Sequence, residues 1–434
     1  MKKVALYTLG CKVNQYETQA IKEKFIQRGY EIVHENEPAD INVINTCTVT
    51  NLSDRKSRQY IRRAKRLNPN SIVIVTGCYA QINPQEIKAL DDVNIVVGTN
   101  EKNNIVEYAE KLNRKQKAIK IRSYEDINDY EDMLITSMDT RTRAYIKIQE
   151  GCNQFCSYCI IPYARGNIRS RKAGDIVKEA ETLIDNGYKE IVITGINAAL
   201  YGVDLGKGSL LDIIESINDI KGKFRIRLSS LEPAVMNQTF IDKLMSVPKL
   251  CSHIHLSLQS GCDKVLELMN RKYTTDQYRR IVHNLRQQRH NINITTDIIV
   301  GFPGETSKDF EDTCTFVKSI GFGKVHVFKY SKRTGTKAAE MGNQINPEVK
   351  NKRSERLIQI TNSSACDYLK EFIGTSMEVL FETKNEKIGL YEGFTNNYLK
   401  VYCDYESNLQ DKFAVIDITD TFKDGLTGKI EKIY

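Results

Sequence analysis

The residues of this chain best suited to chemistry are its cysteines. Three of the eleven form Cys152-Asn-Gln-Phe-Cys156-Ser-Tyr-Cys159, a CxxxCxxC pattern that we call the central triplet. Three thiolates on one tight loop can bind three irons of a [4Fe–4S] cluster, which normally takes four cysteines. No fourth cysteine lies nearby in the sequence. The spacing therefore predicts a cluster with one iron open to another ligand.

A zinc knuckle, or three unligated thiols, is the alternative interpretation of the central triplet. Zinc in a structural site takes four cysteine or histidine ligands at short spacing. The histidine nearest to the triplet in the sequence is His253, in a different predicted strand. The pattern therefore favours an iron–sulfur cluster.

Three further cysteines, which we call the N-terminal triplet, are far apart in the sequence. Cys11, Cys47 and Cys78 each come just after a short, apolar, β-branched run. Because residues past the carboxyl ends of parallel strands meet along one edge of the sheet, the three cysteines are predicted to converge. Three converging thiolates again fit a cluster with one open iron. Buried structural thiols are the alternative.

The elements that would position the N-terminal triplet lie in residues 1–115. Short apolar runs alternate there with amphipathic helical stretches, which predicts an α/β fold with a doubly wound parallel sheet. The predicted strands are Val4–Leu9, Ile41–Thr46, Ile72–Thr76 and Val93–Val97, and the predicted helices are Gln15–Arg28, Ser53–Arg66 and Pro84–Leu90.

The central triplet belongs to a second region of alternating strands and helices. A polar linker over 116–142, with the acidic stretch Ser123–Asp132, separates this region from the first. Six strands within 143–370, closed by a charged helix over Pro347–Phe372, predict an incomplete (β/α)6 barrel. The predicted strands are Ala144–Gln149, Glu190–Thr194, Phe224–Ser229, His253–Leu258, Asn293–Val300 and Gly323–Tyr330.

Residues 371–434 show no helical pattern and predict a small antiparallel β-barrel. This segment has seven lysines, no arginine and twelve acidic residues, so its net charge is −5 although the whole chain carries +8. An acidic barrel has no electrostatic attraction for RNA. Asn396–Lys400, with Tyr391 and Phe394, offers aromatic stacking and amide contacts instead. A purely capping role is the alternative.

Composition limits the class of protein. Of the 434 residues 41% are hydrophobic and 27% charged, which excludes disordered, collagen-like and disulfide-stapled chains. No apolar run reaches the roughly 18 residues of a membrane helix. Eleven cysteines without an export signal are expected to be thiols or metal ligands, and we expect a cytoplasmic protein. Five cysteines lack ligand spacing and are expected to be small buried hydrophobes: Cys251, Cys262, Cys314, Cys366 and Cys403.

One predicted helix is strongly basic. Seven lysines and arginines crowd about three turns between residues 55 and 66, and acidic partners at i,i+4 are absent. Such a face suits a phosphate backbone, although a solvated surface is the alternative. The predicted RNA-binding residues are Arg55, Lys56, Arg58, Arg62, Arg63, Lys65 and Arg66. Residues after the central triplet are predicted to contact RNA likewise: Arg165, Arg169, Arg171 and Lys172.

The central triplet resembles the signature of the radical S-adenosylmethionine superfamily. In that superfamily the amino and carboxylate groups of methionine chelate the open iron, and Tyr158 occupies the aromatic position that lies against adenine. The resemblance implies further cofactor-binding residues at or near barrel strand ends: Gly195, Asn197, Ser229, Glu232, Gln259 and Asp297.

The cysteines of the N-terminal triplet have flanks that resemble the methylthiotransferase family. The flanks are Leu9-Gly-Cys11-Lys-Val-Asn14, Asn45-Thr-Cys47-Thr-Val and Thr76-Gly-Cys78-Tyr-Ala. Members of this family join an N-terminal cluster domain, a radical barrel and a small C-terminal TRAM barrel that binds RNA. Lys-Val-Asn after Cys11 is similar to the branch that modifies threonylcarbamoyladenosine in tRNA. Local departures, such as Lys329 and Lys332 where prolines are common, touch no predicted ligand.

The resemblance implies that the protein adds a methylthio group to carbon 2 of threonylcarbamoyladenosine at position 37, beside the anticodon. Two [4Fe–4S] clusters, S-adenosylmethionine, a tRNA anticodon stem-loop, a sulfur donor and an electron donor are implied, for a monomer that contacts no membrane. An unactivated aromatic C–H bond calls for a radical supplied by a cofactor, so no side chain is assigned as acid or base. Alternatives are isopentenyladenosine or a ribosomal protein as substrate, and an RNA-binding iron–sulfur regulator without activity.

Overall fold

A computed structural model describes residues 1–111, 116–139 and 142–434. The predicted domain boundary at residue 115 and the linker residues 140–141 lie outside the described residues. The boundaries between domains stay predictions.

The N-terminal part is a six-stranded, all-parallel sheet in the order β2-β1-β3-β4-β5-β6. Its strands are β1 (Lys3–Thr8), β2 (Glu31–Val33), β3 (Ile41–Thr46), β4 (Ile72–Gly77), β5 (Ile95–Val97) and β6 (Ala118–Lys120). Its helices are α1 (Lys12–Gln27), α2 (Asn51–Leu67), α3 (Cys78–Ile82), α4 (Pro84–Lys88) and α5 (Ile105–Lys111).

Helices cover both faces of this sheet, which confirms the doubly wound arrangement. All residues of β3 and β4 are buried, as expected for β-branched strands of a parallel sheet covered on both sides. Tyr16 and Phe25 of α1 pack on one face, and Ile61 and Ala64 of α2 pack on the other.

The central part has six parallel strands in sequence order, which confirms the incomplete barrel. The strands are β7 (Arg143–Glu150), β9 (Glu190–Gly195), β10 (Arg225–Leu228), β11 (His253–His255), β12 (Asn293–Val300) and β13 (Lys324–Lys329), with a short antiparallel β8 (Arg169–Ser170) beside β7. The helices are α6 (Ile161–Arg165), α7 (Ala173–Asp185), α8 (Leu210–Asn218), α9 (Gln238–Ser246), α10 (Asp263–Leu268), α11 (Thr275–Gln288), α12 (Ser307–Ile320), α13 (Lys337–Glu340) and α14 (Pro347–Lys370).

The N-terminal sheet and the central barrel share one hydrophobic core. Val4 and Ile21 of the sheet domain belong to the same buried cluster as Ile146 and Ile193 of the barrel. Helix α1 lies in this interface, where the Tyr16 hydroxyl donates to Glu179 Oε1 of α7 at 3.0 Å. The two parts are therefore packed against each other.

The C-terminal part is a closed five-stranded barrel in the order β14-β15-β16-β18-β17. Its strands are β14 (Ser376–Asn385), β15 (Leu390–Thr395), β16 (Lys400–Cys403), β17 (Phe413–Phe422) and β18 (Gly425–Ile433). The predicted barrel is confirmed, although the pairing of β16 with β18 is parallel and the other pairings are antiparallel.

The β15–β16 turn of the terminal barrel docks onto the starting ends of the central strands. Asn293 Nδ2 donates to the Asn397 carbonyl at 2.9 Å, and Arg225 Nη2 donates to the Phe394 carbonyl at 3.1 Å. The ring of Tyr398 stacks on Phe394, with centroids 4.9 Å apart. The prediction that these aromatic and amide groups are available to RNA is wrong. Phe394, Asn396, Asn397 and Tyr398 contact the central barrel, and Tyr391 is buried in the core of the terminal barrel.

Candidate metal centre

The carboxyl ends of three adjacent strands bring the N-terminal triplet together. Strands β1, β3 and β4 are neighbours, and their registers pair Thr8 with Asn45 and Thr46 with Gly77. The strands therefore end at the same edge, and Cys11, Cys47 and Cys78 follow there. Cys47 and Cys78 are buried, whereas Cys11 is exposed at the open side of this edge.

Two glycines lie directly before Cys11 and Cys78, at turns where a side chain would not fit. Gly77 has φ +93°, and a Cβ at this position would lie 2.3 Å from the Thr46 carbonyl oxygen. Gly10 has φ +108°, and its Cβ would lie 2.8 Å from the Cβ of Cys47. Since other residues avoid positive φ and such contacts, both turns require glycine.

Asparagine side chains hold the two loops that carry Cys11 and Cys47. Asn14 Nδ2 donates to the Leu9 carbonyl at 2.6 Å and to the Thr46 carbonyl at 3.0 Å. Asn45 Nδ2 donates to the Asn14 carbonyl at 3.1 Å. These amide nitrogens bind backbone carbonyls. The thiols are the soft metal-binding groups at this edge.

The central triplet occupies the loop after β7, at the carboxyl end of the barrel. The Cys152 N–H donates to the Gly166 carbonyl at 3.0 Å, and the Cys159 N–H donates to the Cys156 carbonyl at 2.9 Å. Phe155, between the first two cysteines, adopts φ +45°. This tight turn keeps all three cysteines half-buried on one loop.

Each triplet contains a thiol that stays protonated at neutral pH without metal. Burial raises the pKa of Cys47 to about 12, and the neighbouring Cys78 adds to the rise. Burial also raises the pKa of Cys159 to about 12, followed by the effect of Cys156. Metal binding must therefore displace protons, as is usual for thiolate sites.

In neither triplet do all three sulfur atoms lie within 4.8 Å of one another. Among the described residues, only Cys262, Asp309 and Asp312 bring three metal-binding atoms within 4.8 Å of one another. A cluster binds each thiolate through a different iron, so it fits a wider set of sulfurs. The geometry is compatible with a cluster at each triplet.

The structure places the predicted cofactor-binding residues around the carboxyl end of the barrel. Gly195 ends β9, and the Asn197 N–H donates to Gln149 Oε1 at 2.8 Å. The Gln259 N–H donates to the Asp297 carbonyl at 2.8 Å, with Gln259 at φ +68°. The Asn197 side chain hydrogen-bonds Cys152 of the central triplet. The role of all these residues as cofactor ligands stays a prediction.

Three other predicted cofactor-binding residues, Ser229, Tyr158 and Glu232, differ in the contacts that they make within the protein. The Ser229 hydroxyl is buried without a hydrogen-bond partner among the described residues. The ring of Tyr158 packs edge-on against Phe302, at 6.5 Å between centroids. Glu232 forms an ion pair with Arg271 at 2.8 Å.

Arg271 also contacts the central triplet directly. Its Nη1 lies 3.3 Å from Cys156 Sγ. Arg271 lies in the segment Met269-Asn-Arg-Lys-Tyr-Thr274, and nothing in the spacing of this segment connects it with a cysteine more than a hundred residues earlier. Sequence reasoning missed this contact.

The arginines after the central triplet are not available to RNA. Arg165, Arg169 and Arg171 are each at most 2% exposed, so the prediction that they contact RNA is wrong. Arg171 donates to Glu179, and the Arg169 guanidinium donates to the Arg165 carbonyl at 2.9 Å. Only Lys172 of this group is exposed.

The predicted basic helix is α2, and its cations fall into two groups. Arg58 donates to the Tyr79 hydroxyl at 2.7 Å and pairs with Glu86, and Lys65 donates to the Ser71 carbonyl at 2.6 Å. The remaining five line the outer surface: Arg55, Lys56, Arg62, Arg63 and Arg66. Their contact with RNA stays a prediction.

Comparison with known proteins relates both halves of this arrangement to described families. The Radical SAM superfamily matches residues 146–317, which contain the central triplet. The uncharacterized protein family UPF0004 matches residues 3–98, which contain the N-terminal triplet. The Threonylcarbamoyladenosine tRNA methylthiotransferase MtaB of Bacillus subtilis (strain 168) is 42% identical, over 92% of this chain and 90% of that protein.

The chain belongs to the radical S-adenosylmethionine methylthiotransferase family. A second relative is the tRNA-2-methylthio-N(6)-dimethylallyladenosine synthase of Caldicellulosiruptor saccharolyticus, 34% identical over 98% of this chain and 92% of that protein. The radical S-adenosylmethionine methyltransferase TsrM of Kitasatospora setae has a similar fold, with a TM-score of 0.58 at 14% identity, over 78% of this chain and 77% of that one.

The family membership agrees with an enzyme built from a sheet domain and a radical barrel. None of the described helices is long and apolar enough to cross a membrane. Of the five cysteines without ligand spacing, four are buried and Cys366 is exposed.

Proposed function

We propose that this protein is a tRNA methylthiotransferase that adds a methylthio group to carbon 2 of threonylcarbamoyladenosine at position 37, beside the anticodon. The observation that carries the proposal is the 42% identity to a threonylcarbamoyladenosine tRNA methylthiotransferase over 92% of the chain. The two cysteine triplets, one gathered from the ends of three parallel strands and one on the loop after β7, are the chemical groups that this reaction requires.

Two [4Fe–4S] clusters and S-adenosylmethionine are the cofactors, and when bound they supply the radical and the sulfur chemistry. We propose that the central triplet holds the cluster that binds S-adenosylmethionine and that the N-terminal triplet holds the other. The all-thiolate donors of both triplets support this assignment. A sulfur donor and an electron donor act on the protein, which works as a monomer.

The polypeptide contributes binding and orientation. The buried Ser229 hydroxyl, which has no partner among the described residues, is placed to accept or donate a hydrogen bond to a bound group. Arg271 holds Glu232 at 2.8 Å and Cys156 Sγ at 3.3 Å, so it fixes the triplet loop relative to the adjacent strand end. The target adenosine must leave its stack to reach this end of the barrel, which costs little in an anticodon loop.

The tRNA is proposed to bind along α2. Four cations of this helix line a groove of 480 Å³ together with Gln59 and Tyr60: Lys56, Arg62, Arg63 and Arg66. A second groove, of 300 Å³, runs between α2 and the barrel and is lined by Arg58, Arg333 and Ile160. Asp54 and Glu86 also line this groove and pair with Arg333 and Arg58. Ile160 follows Cys159, so the groove reaches the residue next to the central triplet.

The nucleosides of cellular tRNA test the proposal. A strain that lacks the gene is expected to lose 2-methylthio-threonylcarbamoyladenosine in mass spectra and to regain it with the wild-type gene. The Cys156→Ala variant should not restore the nucleoside, whereas Cys366→Ala should, because Cys366 is exposed and has no ligand spacing. Unchanged 2-methylthio nucleosides in the deletion strain would refute the proposed activity.

The similarity to a dimethylallyladenosine enzyme gives the second candidate function. Loss of 2-methylthio-dimethylallyladenosine with retention of the threonylcarbamoyl product would favour that substrate. A ribosomal-protein substrate predicts no change in either nucleoside. A regulator without activity predicts, in addition, that the anaerobically reconstituted protein forms no deoxyadenosine from S-adenosylmethionine.

A further inference from the structure

Arg165 connects the central barrel to the N-terminal triplet. Its side chain is completely buried, and its Nε lies 3.3 Å from Cys78 Sγ. Its Nη1 donates to Glu17 at 2.6 Å and to Glu150 at 2.9 Å, and its Nη2 donates to Asn14 Oδ1 at 2.6 Å. Every arm of the guanidinium therefore has a partner, one of which is a proposed cluster ligand.

The partners of Arg165 come from both halves of the molecule. Arg165 ends α6, six residues after Cys159, whereas Cys78 and Glu17 belong to the sheet domain. The neighbouring contact of Thr99 Oγ1 with the Ala164 carbonyl, at 2.9 Å, holds the same turn against the sheet domain. One short helix therefore links the loop of the central triplet to a ligand of the N-terminal triplet.

Arg165 belongs to a group of buried ion pairs. Glu17 pairs with Lys102 at 3.0 Å and with Lys147 at 3.3 Å, and Lys147 pairs with Glu150 at 2.9 Å. Arg165 pairs with both carboxylates, and its Nε is the cationic group that contacts the Cys78 sulfur.

A third buried carboxyl group lies near these cations. Glu131 accepts from the Asn103 N–H at 2.7 Å. Burial raises the pKa of Glu131, and the charges of Lys102 and Lys147 oppose that rise. Buried charges are stable when they are paired, and a metal-bound thiolate at Cys78 would pair with the Arg165 guanidinium in the same way.

We propose that Arg165 is a positioning residue for the cluster of the N-terminal triplet, and that its N–H···S contact and positive charge raise the reduction potential of this cluster. The inference rests on the proposed cluster at Cys11, Cys47 and Cys78. Hydrogen bonds to cluster sulfurs and nearby positive charge stabilise the more negative, reduced state, which raises the potential. Arg165 would thereby tune the sulfur-carrying cluster from the barrel side.

The potential can be measured where only this cluster is present. In the full chain with Cys152→Ala, Cys156→Ala and Cys159→Ala, an anaerobic redox titration followed by electron paramagnetic resonance reports the N-terminal cluster alone. Arg165→Lys keeps the charge but loses the planar guanidinium that reaches Cys78 and both carboxylates at once. We expect the ratio of reduced to oxidised cluster at a fixed ambient potential to fall about tenfold, which for one electron equals about 59 mV.

Arg171→Lys is the matched control. Arg171 is also buried, lies in the same segment and pairs with Glu179, but among the contacts described it touches no cysteine. Its replacement should leave the potential unchanged. Equal potentials for Arg165→Lys and the parent would overturn the proposal.

Glu17→Gln is a second variant, and its expected change in reduction potential is opposite to that of Arg165→Lys. It removes one negative charge beside Arg165 without changing the arginine, so the potential should rise. If Arg165→Lys fails to fold, this variant decides: an unchanged or lower potential overturns the inference. A triple-alanine parent that assembles no iron refutes the N-terminal cluster and the inference together, whereas iron with an unmoved potential refutes only the role of Arg165.

Discussion

At the scale of single residues, the chemistry depends on sulfur atoms and on the groups that surround them. Both triplets have an arginine nitrogen 3.3 Å from one cysteine sulfur: Arg271 at Cys156 and Arg165 at Cys78. Each arginine is also paired with a carboxylate, so its orientation is fixed. Each proposed cluster site therefore includes an arginine of fixed orientation in addition to its three cysteines.

Iron content tests the assignment of the N-terminal triplet. The anaerobically purified protein should contain about eight irons per chain, from two four-iron clusters. Cys78→Ala should reduce this number to about four, because a cluster would lose one of its three thiolates. Iron and sulfide analysis measures the change.

A matched variant is Cys251→Ala, which removes a buried cysteine that lies in neither triplet. Its iron content should equal that of the wild type. If Cys78→Ala also retained all of its iron, the N-terminal cysteines would be structural thiols.

At the scale of elements, the strand ends determine which residues meet. β3 and β4 run in register to Thr46 and Gly77, and the chain then turns at once into the cysteine-bearing segments. The left-handed conformation of Gly77 makes this turn possible. The edge geometry therefore depends on backbone conformation as much as on the ligands.

Gly77→Ala should destabilise the protein by roughly 3 kcal/mol, because the added Cβ meets the Thr46 backbone and φ is positive. Thermal or denaturant unfolding of the isolated protein measures the loss. Gly29→Ala is the control: Gly29 also has positive φ, but a Cβ there meets nothing within 4 Å. Equal losses for the two variants would show that the contact with Thr46 contributes nothing.

The outer surface of α2 is the element on which tRNA affinity should depend. Arg62→Ala with Arg66→Ala should weaken tRNA binding, because fewer phosphates are neutralised and fewer counterions are released on binding. Each lost phosphate contact should make the negative slope of log K against log salt shallower by about 0.7 to 0.9. Binding titrations at several salt concentrations measure this slope.

Lys221→Ala with Lys243→Ala is the control for α2, since both lysines are exposed on the central barrel away from the two grooves. These changes should leave the slope unaltered. A slope that stayed constant in the α2 variant would show that this helix does not bind the phosphate backbone.

At the scale of the whole molecule, the three parts are joined by specific contacts. Tyr398, with φ +66° at the docking turn, lies 4.3 Å from the Arg227 guanidinium and 4.8 Å from the His253 ring. Arg227 in turn pairs with Glu190 at 2.9 Å. The acidic terminal barrel therefore closes the starting ends of the central strands, opposite the triplet loop.

Tyr398→Ala should weaken this docking by about 2 kcal/mol, since it removes a ring stack and a cation–π contact. Limited proteolysis should then cleave the terminal barrel from the body more rapidly, with iron content unchanged. Tyr405→Ala is the control, because Tyr405 packs within the terminal barrel itself. Equal cleavage rates for wild type and Tyr398→Ala would contradict the role of this ring.

The sequence by itself determined the features that depend on local pattern. The spacing of the central triplet, the β-branched runs before Cys11, Cys47 and Cys78, and the alternation of strands and helices indicated two cysteine sets on parallel sheets. Such features follow from backbone periodicity and from the rule that parallel strands end at one edge, so they need no knowledge of distant contacts.

Only the tertiary structure decided which side chains form the contacts between the three parts of the molecule. Arg165 looked available to RNA, yet it is buried against Cys78, 87 residues away in the sequence. Tyr398 and Phe394 looked available for stacking on bases, yet they dock onto the barrel. A charged or aromatic side chain has the same local pattern whether it meets water, RNA or protein. Its partner is fixed by long-range packing, which sequence spacing does not encode.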